Sequence, residues 1–172
     1  GCYSPNNYDF EFRGPLTWRA ALAESRNIPA IKVNYLAGIR NVIQKARDMG
    51  ITSLNQSPEF YGLGLVLGGG EVSLLEMTGA YSVFSNEGGY NTPTAIMEVR
   101  DIDGQIIDEY EPEEERVLDK NAARMVNSIL SDNVARTPLF GSQSFLYFGI
   151  CLRTNTISNI EMNIMNIFNI FA

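Results

Sequence analysis

Apolar and polar positions along the chain alternate in ways that predict four helices, one hairpin and a closing strand. The opening, "GCYSPNNYDFEFRGPL", is rich in Pro, Gly and Asn and reads as an irregular loop. Thr17 then stands as an N-cap before "WRAALAESR", where Trp18, Ala21 and Leu22 form a helical stripe. Proline disfavours helical backbone at the residue before it, so Pro29 is expected to stop this helix near Asn27. Ser25 and Asn27 would then lie at a helix end or in the turn beyond it. A second helix is expected over "NYLAGIRNVIQKARDMG", closed by Gly50. A third begins near Glu71, after a flexible Gly68-Gly69-Gly70 lead, and ends by Gly88-Gly89. Val72, Leu75, Met77 and Tyr81 would be its buried positions.

The clearest local signal is "TAIMEVRDIDGQIIDEYEP". Two β-rich runs flank Asp103-Gly104, the pairing favoured in a type I′ hairpin turn. Asp119 caps a fourth helix, "KNAARMVNSILSDN", with Ala122, Met125, Val126, Ile129 and Leu130 on one face. From Phe145, "FLYFGICLRTNT" reads as a buried strand. The remaining "ISNIEMNIMNIFNIFA" has neither a helical stripe nor strand alternation, repeats Asn-Ile, and is too polar for a membrane span. The chain therefore divides into residues 1–151, a folded domain, and 152–172, an altered motif region with a biased tail.

Composition narrows the chemistry. At 172 residues the length suits about one domain. A net charge of −7, with basic residues scattered singly, argues against a nucleic-acid partner, which needs clustered Lys and Arg. There is no histidine, which removes His-based triads and most zinc sites. Cys2 and Cys151 match no metal spacing and read as small hydrophobes. The acidic run Glu111 to Glu115 reads as solvated surface, and the triple glycine lacks the Lys-Ser/Thr of a phosphate loop. No metal or organic cofactor is called for.

Two Ser-x-Asn triplets remain: Ser25-Arg26-Asn27 and Ser131-Asp132-Asn133. The second ends an amphipathic helix, where short polar residues are ordinary caps. The segments "YSPNNYDFEFRGPLTWRAALAESRNIPAIKV", "GLGLVLGGGEVSLLEMTGAYSVFSNEGG" and "ILSDNVARTPLFG", in that order, resemble the transpeptidase domain of bifunctional (class A) penicillin-binding proteins. The resemblance covers residues 3 to 141. It implies an α/β fold of the α+β type, an antiparallel sheet covered by helices and incomplete in this chain. The implied enzyme is a serine-type D,D-transpeptidase that cross-links peptidoglycan stem peptides through an acyl-serine, with β-lactams as covalent inhibitors.

That family works with S-x-x-K, S-x-N and K-T-G. The resemblance assigns Ser25 as a catalytic proton relay and Asn27 as the amide that holds the substrate's peptide. A serine nucleophile needs an adjacent base, and a desolvated lysine can serve where histidine is lacking. Yet Lys32, Lys45 and Lys120 are preceded at three residues by Pro29, Val42 and Val117, so no S-x-x-K exists here. The motif would be expected upstream of Gly1. Pairing Ser25 with Lys32 is discounted because Pro29 is expected to break the helix between them. Where the family reads K-T-G-T-T, this chain has "RTNTI", giving Arg153, Thr154 and Thr156 as candidate substrate-binding residues. Arg153 keeps the charge, whereas Asn155 puts a side chain where bare backbone is needed.

The resemblance further implies work at the extracytoplasmic face of a bacterial cytoplasmic membrane, alongside cell-wall synthesis proteins. Two other readings are a non-catalytic structural module of cell-wall assembly and a β-lactamase or β-lactam sensor.

Overall fold

The computed structural model describes residues 4–144. Seven α-helices and a 3-10 helix carry about half of this region, with four short strands between the fifth and sixth helices. In chain order they are α1 (Trp18–Ala23), α2 (Asn27–Ala37), α3 (Ile39–Asp48), α4 (Pro58–Tyr61) and a 3-10 helix (Gly62–Leu67). Then come α5 (Leu74–Ser85), β1 (Gly89–Tyr90), β2 (Glu98–Arg100), β3 (Ile106–Glu109), β4 (Glu115–Arg116), α6 (Lys120–Leu130) and α7 (Asn133–Phe140).

Helix starts follow the capping residues. The hydroxyl of Thr17 accepts from the Ala20 amide, and Asp119 accepts from the amides of Asn121 and Ala122, as the sequence predicts. The helix expected near Glu71 starts later, at Leu74, because Ser73 supplies the cap by accepting from the Glu76 amide. It stops at Ser85, before Gly88-Gly89, as expected.

Two helix boundaries differ more from expectation. Pro29 does not end a helix; it is the third residue of α2, in the first turn, where no intrahelical bond needs its missing N–H. The helix expected over residues 34–50 is two, because Gly38 adopts φ 82 between α2 and α3. The triple glycine is also no flexible lead. A Cβ on Gly69 would lie 2.8 Å from the Gly64 carbonyl oxygen, and one on Gly70 would lie 2.6 Å from a Leu54 methyl. Close packing, against the Gly64 backbone at Gly69 and against the Leu54 side chain at Gly70, calls for glycine there.

The strands form two separate antiparallel ribbons, β1 with β4 and β2 with β3. The hairpin is where the sequence places it, but its turn is different. The Gly104 amide donates to the Asp101 carbonyl across Ile102-Asp103, the Asp101 amide donates to the Gln105 carbonyl, and only Gly104 has positive φ, at 81. Type I′ needs positive φ at both central residues, and Asp103 does not adopt it; a three-residue loop with glycine in the left-handed position forms instead. Residues Glu111 to Glu115 are exposed, as expected.

The main core gathers Ile43 of α3, Ile51, Leu54 and Ala80 of α5, flanked by Ile39, Ala46, Met49, Tyr61, Leu65 and Val72. Around α1, α5 and α6, burial falls on Ala21, Ala23, Val83, Ala123 and Leu130. Several positions expected to be buried are not: Trp18 is 70% exposed, and Leu75 and Met125 also face outward. The strand expected from Phe145, the tail, Cys2 and Cys151 lie outside the described residues.

Candidate active site

Helix α1 ends in a Schellman closure. The Ser25 amide donates to the Leu22 carbonyl at 3.1 Å, and the Arg26 amide reaches back to the Ala21 carbonyl at 2.9 Å. This closure needs a left-handed residue just past the helix, and Ser25 takes that role with φ 50. Glycine is the usual occupant; an L-residue there costs about 1–2 kcal/mol. Such a conformation persists only where its surroundings hold it. The half-buried Ser25 hydroxyl makes no hydrogen bond to any described residue.

The surroundings that hold it centre on Arg26, the middle residue of the triplet. Its side chain is only 3% exposed. One terminal nitrogen donates to both carboxylate oxygens of Asp9, at 2.8 and 2.7 Å. Its Nε and other terminal nitrogen donate to Glu24 Oε2, at 3.1 and 3.0 Å. Arg13 joins the same Glu24 oxygen at 3.0 Å and lies 3.5 Å from Asp9. The Glu11 amide, then Arg26 and Arg13, hold the Asp9 carboxyl below its ordinary pKa. A buried guanidinium with two carboxylates across its fork is fully engaged.

The N-terminal segment, irregular as expected, also starts α2. Arg26 stands at the N-cap without offering a side-chain cap. Asn7 replaces it: buried at 7% exposure, it accepts the Ile28 amide at 3.2 Å and donates to the Glu11 carbonyl at 2.8 Å. Asn27 is therefore the first residue of α2, not the last of α1. Its Nδ2 donates to the Asn6 carbonyl at 2.9 Å, and no other bond of that side chain is made among the described residues. The structure thus brings Ser25 and Asn27 together at one helix junction, each with an uncommitted polar atom.

Lys32 is no partner for Ser25, although the reason differs from the one expected. Ser25 lies outside α2, whereas Lys32 is exposed along it, beside a groove of about 350 Å³ lined by Ile31, Tyr35, Leu36 and Leu63. The candidates Arg153, Thr154 and Thr156 lie outside the described residues. Among the described residues, no group of three or more His, Cys, Asp or Glu is placed to hold a metal ion.

Sequence reasoning named the ends of the triplet and missed its middle, together with Asn7, Asp9, Arg13 and Glu24. One signal was available. Opposite charges flank Ser25 at Glu24 and Arg26, and "DFEFR" alternates charged with aromatic residues within an otherwise loop-like stretch.

The second triplet spans the α6–α7 junction. Ser131 caps α6 with φ −88, and its hydroxyl donates to the Asn127 carbonyl at 2.8 Å. Asp132 caps α7 by accepting the Ala135 amide and binds Arg19 of α1 at 2.9 Å. Ser131 and Asp132 spend their polar groups on the fold, as the sequence predicts for a helix end, whereas the Asn133 Oδ1 is buried with no hydrogen-bond partner among the described residues.

Comparison with known proteins fits this geometry. The penicillin-binding protein transpeptidase domain family matches residues 3–143. Penicillin-binding protein 1A/1B of Bacillus subtilis (strain 168) is 33% identical over 129 residues, 74% of this chain and 14% of that protein. The chain thus spans a small part of the length of the curated relatives it matches. The crystal structure of penicillin-binding protein 1A from Haemophilus influenzae superposes with a TM-score of 0.65 at 24% identity, covering 77% of this chain and 24% of that one. Penicillin-binding protein 3 from Mycobacterium tuberculosis, solved with aztreonam, gives 0.60 at 22% identity, covering 67% and 30%. These two likenesses establish the α/β fold. The chain belongs to the penicillin-binding protein transpeptidase domain family, with relatives among the class A proteins.

Proposed function

We propose that this chain carries the S-x-N limb of a peptidoglycan D,D-transpeptidase, with Ser25 as proton relay and Asn27 as the hold on the donor peptide. The observation that carries the reading is the junction itself. Ser25 is left-handed with an unbonded hydroxyl, next to an Asn27 whose side chain keeps an open acceptor. In the second triplet the Ser131 hydroxyl is committed to the Asn127 carbonyl, and the open Asn133 Oδ1 is buried.

In the proposed reaction a nucleophilic serine attacks the donor stem peptide's carbonyl and forms an ester while the terminal amino acid leaves. The leaving amine takes a proton passed through the Ser25 hydroxyl. An acceptor amine then attacks the ester, forming the new peptide bond and returning the proton to the nucleophile. No S-x-x-K occurs in residues 1–172, so the proposed reaction requires a nucleophile and base that these residues do not supply. Arg153, Thr154 and Thr156 would hold the substrate carboxylate. β-Lactams act on the intact protein as substrate mimics, at the extracytoplasmic face of a bacterial membrane and beside other cell-wall synthesis proteins.

The test is a photoreactive acyl-D-alanyl-D-alanine peptide, cross-linked to the chain and mapped by mass spectrometry. Labelling centred on residues 25–27 is expected; labelling spread over the surface, or absent, would sink the reading. The same spectra after incubation with penicillin should show no covalent adduct, and an adduct on Ser25 would make Ser25 a nucleophile instead. A non-catalytic structural module is favoured by one observation, the Arg153 and Asn155 substitutions in "RTNTI". It predicts no peptide labelling at all.

A further inference from the structure

We propose that Arg26 is a positioning residue of this site: its guanidinium, locked to Asp9 and Glu24, holds Ser25 left-handed and thereby sets the Ser25 hydroxyl and the Asn27 side chain. The proposal rests on the reading of Ser25 and Asn27 given above.

Arg26 occupies two structural roles at once. Its backbone amide closes α1 by reaching the Ala21 carbonyl, and the same residue is the N-cap of α2. Fixing its side chain therefore fixes the exit of one helix and the entry of the next, with Ser25 and Asn27 on either side. The left-handed serine needs such a hold, because nothing in its own side chain favours φ 50 and its hydroxyl makes no local bond.

The hold is built to be rigid. Asp9 is anchored by the Glu11 amide at 3.0 Å, and Arg13 bridges Asp9 and Glu24 from the solvent side. The planar fork presents one edge to Asp9 and the other to Glu24. A lysine ammonium is a single point and cannot reproduce both edges. The second junction offers a control: Ser131 has ordinary φ, and there the middle residue, Asp132, is a helix cap rather than a buried clamp.

The experiment is residue-resolved amide hydrogen exchange by NMR on the 172-residue chain, unaltered and as Arg26→Lys and Asp9→Asn. Each sample is also titrated with penicillin G while the Asn27 side-chain amide is followed. The proposal predicts at least tenfold faster exchange of the Ser25 and Arg26 amides in both variants, beyond any change at Val83 and Ala123. It also predicts a weaker Asn27 response to penicillin G. If the Ser25 and Arg26 amides track Val83 and Ala123, Arg26 serves general stability only and the proposal fails. Absence of any Asn27 response in the unaltered chain overturns the reading of the site instead. The exchange data then decide by themselves whether Arg26 holds the turn.

Discussion

The two Ser-x-Asn triplets share letters and setting, since each joins the end of one helix to the start of the next and each asparagine keeps a side-chain oxygen unbonded among the described residues, yet their serines and middle residues differ physically. At residues 25–27 the serine backbone is strained, its hydroxyl is open and the middle side chain is a buried cation. At residues 131–133 the backbone is relaxed, the serine donates to Asn127, and the middle side chain caps the following helix. A junction whose serine and middle residue are spent on caps offers no free hydroxyl. One that gives the closing turn to a serine, and hands the capping to Asn7 and the clamping to Asp9, leaves a hydroxyl available for chemistry. The two are also physically coupled, because Arg19 of α1 binds both Asp132 and the Ser128 carbonyl.

The most damaging way to break this contrast is Arg26→Met. It leaves Glu24 buried beside only the half-exposed Arg13, and losing one member of a buried charge cluster should cost about 3 kcal/mol in thermal or urea unfolding. A loss near zero would mean the cluster is solvated and does not hold the turn.

Glycine substitution then separates the triplets by sign. Ser25→Gly removes the left-handed penalty and should stabilise by about 1 kcal/mol while removing the hydroxyl of the proposed relay. Ser131→Gly, where φ is −88, should destabilise by about 0.5 kcal/mol through added chain entropy and the lost Asn127 bond. Equal signs in a paired denaturation experiment would contradict the comparison. Asp132→Ala should cost about 1 kcal/mol through loss of the α7 cap, with no effect on peptide cross-linking at residues 25–27.

Glu76, which ties the segment before α4 to the start of α5, lies outside both triplets and makes its effect visible through pH. Ser53, then Thr52, donate to its carboxylate and lower its pKa from 4.5 to about 2. A carboxyl whose folded pKa lies below its unfolded value stabilises the fold above pH 4.5, and that contribution is lost as pH falls toward 2. Melting temperature should therefore drop across that window, and Glu76→Gln should flatten the drop while lowering stability at pH 7.

Much of this was legible in the sequence. Thr17 and Asp119 announce their helices because a capping oxygen is a local event. The hairpin at Gly104 is equally local. Ser25 and Asn27 were found by resemblance, and the structure places them together. What was not legible depends on distant partners. Pro29 reads as a stop when considered alone, but becomes harmless once Asn7, about twenty residues earlier, starts the helix ahead of it. The Gly68-Gly69-Gly70 run reads as slack because its close neighbours, Leu54 and Gly64, are not adjacent in the pattern. Arg26 reads as a spacer letter between two named residues, since nothing in its immediate sequence shows that Asp9 folds back onto it.

The measurement that bears most directly on the central claim is an NMR titration of the chain with penicillin G, comparing backbone signals of residues 25–27 and 131–133. The account predicts saturable shifts at Ser25, Arg26 and Asn27, with residues 131–133 following only weakly through Arg19. Shifts that begin at residues 131–133, or that leave residues 25–27 unmoved, would contradict it.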